Sequence, residues 1–336
     1  MKRNVFSGAT AIVALLGSLH TTQAADLLKS ESEKSTDDRV RFLGIPIGGA
    51  SFPERYVPPI TNQLFNESPY IVSEGRFIYL YNSIPDSFPD PALGGGGGNI
   101  QVGAAATRLR LTDRLAFIAT KDGYAFANFN SPLLDDEDGF VNIAGGLKYA
   151  LWEDKATKSI FTVGLKAEID IQELSTLGGA VEFQGASGLG FSFINPFVSA
   201  ATVLTDAAGP LEGVQLQGSF GLNLALNPDV ETSIAHFSLH ANYELFENFF
   251  PVLELNGFVP ISRGERFTAA PLNQLDGVDL ANFGSSDRGT TITAGGGFRY
   301  NISKNAQFGL GGEVALTDTT NSILDWRITA DFGFYF

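Results

Sequence analysis

Residues 325–336, at the end of the chain, read DWRITADFGFYF. Apolar side chains stand at every second position from Trp326 to Phe336, and Arg327, Thr329 and Asp331 stand between them. Successive side chains of a β-strand point to opposite faces of the sheet. The alternation therefore predicts a terminal strand with one apolar face and one polar face.

The same alternation recurs along the chain. It is clear in 141–151, 160–171, 214–227, 234–245, 253–261, 290–302 and 306–317, and weaker in 76–82, 99–111, 115–128 and 196–205. With the terminal strand this gives about 12 strands, most of them near the ~10 residues that cross a bilayer at a tilt. Backbone polar groups must be paired inside hydrocarbon, so spanning strands have to close into a ring. The predicted fold is all-β, a transmembrane antiparallel up-and-down β-barrel over residues 75–336.

Connection lengths and aromatic positions favour the same fold. Short links near 112–114, 153–158, 206–212, 247–248 and 303–305 alternate with longer connections, apart from a short one at 227–232. Outer-membrane barrels have short periplasmic turns, long external loops and aromatic girdles. Tyr149, Tyr243, Tyr300 and Phe334 fall on the outward face, near the predicted periplasmic ends. A large soluble β-sandwich is the alternative, but it does not need a charged inward face.

Composition excludes several classes of protein. The 336 residues contain no Cys, which excludes disulfides, thiolate metal sites and a cysteine nucleophile. The formal net charge of −15 disfavours nucleic acid as a partner. Outside the leader, no apolar run is long enough for a spanning helix. We predict no cofactor and no metal.

The amino terminus predicts export. Lys2 and Arg3 precede an apolar stretch from about Val5 to Leu19, and small residues near Ala24 fit a cleavage site, so 1–24 is predicted to be a signal peptide. An uncleaved anchor is the alternative. Residues 25–74 lack the barrel pattern, beginning with a charged stretch and continuing with Pro and Gly. They are interpreted as a periplasmic arm or a partial plug of the lumen, and a simple tether is the favoured form.

The inward faces carry charges of both signs, as expected of a polar lumen that sets selectivity or of ion pairs that brace a wall. The candidate lumen residues from the alternation are Arg108, Arg110, Lys121, Asp122, Lys148, Lys166, Glu168, Asp170, His236, His240, Glu244, Glu254, Arg299, Glu313, Arg327 and Asp331.

Three motifs suggest other chemistry and are interpreted more simply. His236 and Ser238 share one face of a strand, as a base and a nucleophile require, but that face is the predicted lumen. The acidic run 135–138 is interpreted as a solvated loop rather than a calcium site. Gly94 to Gly98 lacks the GK[ST] of a phosphate loop and is interpreted as a flexible loop.

Several segments resemble known families. The aromatic ending, with Phe332, Phe334 and Phe336, resembles the carboxyl-terminal assembly signal of outer-membrane proteins. The pair His236 and Ser238 is similar to that of outer-membrane phospholipase A, without its surrounding motif. TNQLFNESPYIVSEGRFIYLYN, LRLTDRLAFIATKDGY, VNIAGGLKYALW and DWRITADFGFYF resemble a family of uncharacterised bacterial outer-membrane β-barrels and, more distantly, MetA-type transporters associated with phenol degradation.

The resemblance implies an outer-membrane porin or transporter for small molecules, in a Gram-negative cell. Its expected partners are outer-membrane lipid, the barrel assembly machinery and a small-molecule solute. A non-conducting structural or surface-binding barrel is the alternative, and an enzyme is not expected.

Overall fold

The computed structural model describes residues 40–42, 45–47, 56–88, 95–132, 134–176, 181–183, 190–204, 211–266, 280–282, 284, 289–317 and 323–336. The chain divides into two units, Met1–Asp38 and Arg39–Phe336, and every described residue belongs to the second. The predicted signal peptide, 1–24, lies outside the described residues, as does most of 25–55.

The described residues form 17 β-strands. They are β1 (Val40–Phe42), β2 (Ile45–Ile47), β3 (Glu74–Ile84), β4 (Gly98–Arg110), β5 (Leu115–Phe129), β6 (Glu137–Phe140), β7 (Ile143–Asp154), β8 (Ser159–Ile169), β9 (Ser175–Thr176), β10 (Val181–Glu182), β11 (Phe191–Val203), β12 (Gln215–Ala225), β13 (Ser233–Asn242), β14 (Phe249–Ser262), β15 (Thr291–Asn301), β16 (Ala306–Ala315) and β17 (Trp326–Tyr335). No helix among the described residues is long and apolar enough to cross a membrane.

Twelve of these strands close into an antiparallel barrel. The barrel strands are β3, β4, β5, β7, β8 and β11 to β17. Each pairs with the next barrel strand along the chain, and β17 closes the ring by pairing with β3. The short β6 pairs with the far end of β5, beyond the β5–β7 pairing. The predicted all-β up-and-down barrel of about 12 strands is therefore confirmed.

The faces of the wall follow the alternation. In β17, Trp326, Ile328, Phe332 and Phe334 are exposed. Arg327, Thr329, Asp331 and Gly333, on the opposite face, are buried. The same pattern makes Phe77 71% exposed and Leu253 70% exposed on other strands. Large apolar side chains thus point outward and polar side chains point inward, the reverse of a soluble barrel.

The two ends of the barrel differ. At the end that holds Glu74 and Phe336, the connections are short, such as 111–114, 155–158 and 302–305. At the other end they are long, such as 85–97 and 263–290. There a hydrophobic cluster that includes Phe88, Phe129 and Phe183 packs among the loops and the strand ends.

Candidate functional site in the barrel lumen

The inward face of the wall is a network of buried polar side chains. Seven cations and five carboxylates of the barrel strands are buried in the described residues. The cations are Arg76, Arg108, Lys121, Lys148, Lys166, Arg299 and Arg327, and the carboxylates are Glu74, Glu168, Glu254, Glu313 and Asp331. A buried charge without a partner is very costly, which explains why most of these groups pair with an opposite charge on the same strand, on the adjacent strand or on the next strand but one.

Several predicted lumen residues pair within the wall. Arg299 donates to both carboxylate oxygens of Asp331 at 2.8 Å. Lys121 pairs with Glu168, and Arg327 Nη1 lies 3.4 Å from Glu313 Oε2. These contacts link β5 to β8, β15 to β17, and β16 to β17, so they brace the wall.

Other predicted residues lie elsewhere. Arg110, at the end of β4, pairs with Asp113 in the following turn. Asp170 follows β8, and Glu244 accepts the backbone N–H of Asn248 in the turn between β13 and β14. Asp122 follows a register shift between Ala119 and Lys121. After this shift Asp122 lies on the same, outward face of β5 as Phe126, because no further shift separates the two residues. Phe126 is 50% exposed.

Residues 56–73, called the inner segment below, lie among the inward side chains. None of them is exposed. Seven of their backbone carbonyls accept hydrogen bonds from wall side chains on five strands. Buried carbonyls need such partners, and here side chains take the place of a helix or a sheet. The pairs are Tyr56–Gln307, Val57–Gln217, Pro58–Arg299, Pro59–Arg299, Leu64–Lys166, Ser68–Lys148 and Pro69–Thr162.

A turn over residues 61–65 packs closely against β14, β15 and β16. Glu254 accepts the backbone N–H groups of Ile60 at 2.9 Å and Thr61 at 2.6 Å, together with the Thr61 hydroxyl. A Cβ on Gly295 would lie 2.7 Å from Thr61 Cγ2, and one on Gly311 would lie 2.9 Å from Ile60 Cγ2. Glycine at these two inward positions therefore makes room for the turn.

Glu67 is the acidic residue of the inner segment, and two wall cations hold it. Arg108 donates through Nε to Oε1 at 2.8 Å and through Nη2 to Oε2 at 2.6 Å, a two-bonded fork. Lys148 donates to Oε1 at 2.7 Å. Burial by itself raises the pKa of Glu67, but Arg108 and Lys148 hold that pKa well below its usual range.

Arg108 is in turn fixed by the wall. Its Nη1 donates to Glu74 Oε1 at 2.7 Å, and Arg76 Nη2 donates to Glu74 Oε2 at 2.9 Å. Arg76 also pairs with Asp331. Glu67, Glu74 and Arg76 are not among the lumen residues that the alternation of the sequence predicts. The alternation in 76–82, where Phe77 and Tyr79 point outward, was the available signal for Arg76.

His236 and Ser238 are both buried beneath the inner segment. His236 Nε2 lies 2.9 Å from the side-chain amide of Asn195, and the ring of Phe65 lies 4.6 Å from the imidazole ring. Ser238 accepts from the amide of Asn62 at 3.3 Å. These contacts leave neither side chain in reach of lipid at the outer wall.

Two cavities lie near β3 to β5, one on each side of the wall. A cavity of about 100 Å³ lies between Leu64 and the inward faces of β3 to β5. A second cavity, of about 690 Å³, indents the outer wall at β3 to β5, beside Phe77 and Phe140. Ile78 and Ala104 line both.

Comparisons with known proteins identify the fold. No protein-family model and no curated protein matches the chain. Solved structures do match the chain. An outer-membrane channel from Pseudomonas putida F1 shares 14% identity over 84% of this chain and all of that one, with a TM-score of 0.53.

Two further solved structures match with lower TM-scores. The NanC porin shares 6% identity over 79% of this chain and all of that one, with a TM-score of 0.45. The toluene transporter TbuX of Ralstonia pickettii shares 11% identity over 83% of this chain and 92% of that one, with a TM-score of 0.38. At these identities the likeness concerns the fold alone, which is that of outer-membrane β-barrels.

Proposed function

We propose that this protein is an outer-membrane channel for small molecules in which the inner segment acts as a plug. Passage is passive and follows the concentration gradient through the charged lumen. The outward apolar wall meets outer-membrane lipid, and the barrel assembly machinery inserts the chain after removal of residues 1–24.

The observation that carries the proposal is the way the inner segment is held. Many of its contacts with the wall are polar, through backbone carbonyls and the Glu67 carboxylate. It also packs apolar side chains on the wall, as Val57 and Ile60 do on Phe250. Water and ions can replace the polar contacts when the segment leaves. A polar, buried lumen around a removable segment is suited to a channel that is closed at rest.

A second candidate is a non-conducting barrel whose long connections bind a partner. The size of the cavity beside Leu64 favours it, because a space of about 100 Å³ is no through-path. In that case the ion pairs serve to brace the wall.

Recordings from the mature full-length chain in planar lipid bilayers separate the two candidates. The channel proposal expects discrete conductance steps from a mainly closed state. It also expects more frequent openings in urea below the unfolding midpoint of the barrel, because the segment is held less firmly than the sheet. The absence of steps at high protein load, with and without urea, contradicts the proposal and favours the non-conducting barrel.

A further inference from the structure

The wall around Glu67 has the features of a carboxylate-binding site in its own right. The Arg108 fork and the Lys148 ammonium converge on one carboxylate, at 2.6 to 2.8 Å. Planar two-point contact with Arg is the typical geometry of carboxylate recognition. Both cations belong to the barrel strands, whereas the carboxylate belongs to the inner segment.

The site is also organised independently of Glu67. Glu74 holds the remaining end of the Arg108 guanidinium, and Arg76 holds Glu74. Arg108 therefore keeps its orientation if Glu67 leaves. Such preorganisation lowers the free energy that a replacement ligand must supply.

The charge balance of the wall favours an anion. The described barrel strands bury seven cations against five carboxylates, and the other two buried carboxylates are Glu67 and Glu231, the latter in the connection between β12 and β13. Departure of Glu67 therefore leaves one buried cation in excess. Lys166 lies near as well and lowers the pKa of Glu67 further. When the inner segment leaves, the lumen therefore attracts a small anion.

We propose that Glu67 is a tethered occupant of a binding site for organic carboxylates, and that a carboxylate solute opens the channel by replacing it. The inference rests on the proposed function and names its class of solute. A phosphate ester or a neutral solute fits less well, since the site offers one fork and one ammonium, already matched by a single carboxylate.

The test uses three probes of one size that differ in charge: propanoate, propanamide and propylammonium. The first readout is the thermal unfolding midpoint of the reconstituted Glu67→Ala protein. Propanoate is expected to raise this midpoint by a few degrees, because a ligand that binds the folded state stabilises it. Propanamide and propylammonium are expected to leave it unchanged. If Glu67→Ala does not fold unaided, its folding yield in propanoate and in propanamide takes the place of the midpoint.

Two control variants locate the effect. Glu212→Ala removes an exposed carboxylate from the turn between β11 and β12, and its midpoint should not respond to propanoate. Adding Lys148→Met to Glu67→Ala should abolish the response, because it removes one of the two cations of the site. Equal stabilisation by propanoate and propanamide, or a response that survives Lys148→Met, overturns the inference.

The second readout is the open probability of the wild-type protein in bilayers. Propanoate should raise it in a saturable manner, and propanamide should not. A silent wild-type protein whose Glu67→Ala variant is stabilised by propanoate would refute the channel but retain the site. Channel openings that are indifferent to propanoate, with no stabilisation of Glu67→Ala, would refute the site and retain the channel.

Discussion

Replacing Glu67 by Gln should open the channel. The substitution keeps the shape of the side chain and removes its charge, so it leaves Arg108 and Lys148 facing a neutral amide. Both cations are buried, at 4% and 1% exposure, and cannot recover the lost interaction from bulk water while the segment stays in place.

The size of the effect follows from the burial. Removing one partner of a buried ion pair costs about 3–5 kcal/mol. Lys148 loses the carboxylate with which it is paired, whereas Arg108 keeps its pair with Glu74. Undocking of the inner segment relieves this cost, since it admits water to both cations. At about 1.4 kcal/mol per factor of ten, the equilibrium between docked and undocked states should shift by about 10² to 10⁴ toward the open state.

Single-channel recording in planar bilayers measures this shift as open probability. The matched control is Glu168→Gln, which makes the same chemical change at another buried carboxylate. The observed partners of Glu168 are Lys121 and Asn142, both outside the inner segment. It should lower the stability of the wall and leave open probability near the wild-type value. Equal open probability in wild type and Glu67→Gln, or an equal rise in both variants, would refute the reasoning.

Three further outcomes are expected. Leu165→Arg, on the outer face of β8, should lower the free energy of unfolding in lipid by about 2–4 kcal/mol. Leu211→Arg, at a similarly exposed leucine in a turn, should change this free energy little. Urea titration measures both. Wild type should be more stable than Glu67→Gln by a constant margin above the ordinary carboxyl pKa of 4.5. That margin should shrink as the pH falls below 4.5, because the carboxyl group then takes up a proton in the unfolded state while its lowered pKa keeps it ionised in the folded state. Unfolding titrations from pH 7 to pH 3 check this. Deletion of Phe336 should slow insertion in cells while leaving refolding in detergent unchanged, and pulse-chase assembly compared with in vitro refolding distinguishes an assembly signal from a stability effect.

The fold was predictable because alternation is a local property. In β17 every second residue from Trp326 is apolar, and a strand has no other way to place them than on one face. Tyr149, Tyr243, Tyr300 and Phe334 were assigned to the outward face on the same basis, and each exposes 40–50% of its surface. Ring closure then followed from the need to pair every backbone group.

The register of individual residues was less predictable where strands are irregular. The shift between Ala119 and Lys121 places both Thr120 and Lys121 among the buried residues, which strict alternation does not allow. Asp122 then falls in the outward register. Bulges of this kind depend on the partner strand, so a single sequence gives no sign of them.

The contacts of the inner segment could not be predicted at all. Residues 56–73 have neither a strand period nor a helix period, and their partners lie far away in sequence. Thr61 and Glu254, for example, are 193 positions apart. Glu67 stands in the unremarkable run NESPY, and its role depends on Arg108 and Lys148 meeting in space.

A disulfide between the inner segment and the wall tests the central claim, that movement of this segment opens the lumen. A Cβ on Gly311 would lie 3.4 Å from the Cβ of Ile60, close to the separation of about 3.5–4.5 Å found in disulfides. The chain has no other cysteine, so Ile60→Cys with Gly311→Cys gives a single possible bond. The test protein combines this cysteine pair with Glu67→Gln. We predict that its channels stay closed in bilayers while the disulfide is intact and open when the disulfide is reduced. Equal conductance before and after reduction, with the bond verified by mass spectrometry, would contradict the account.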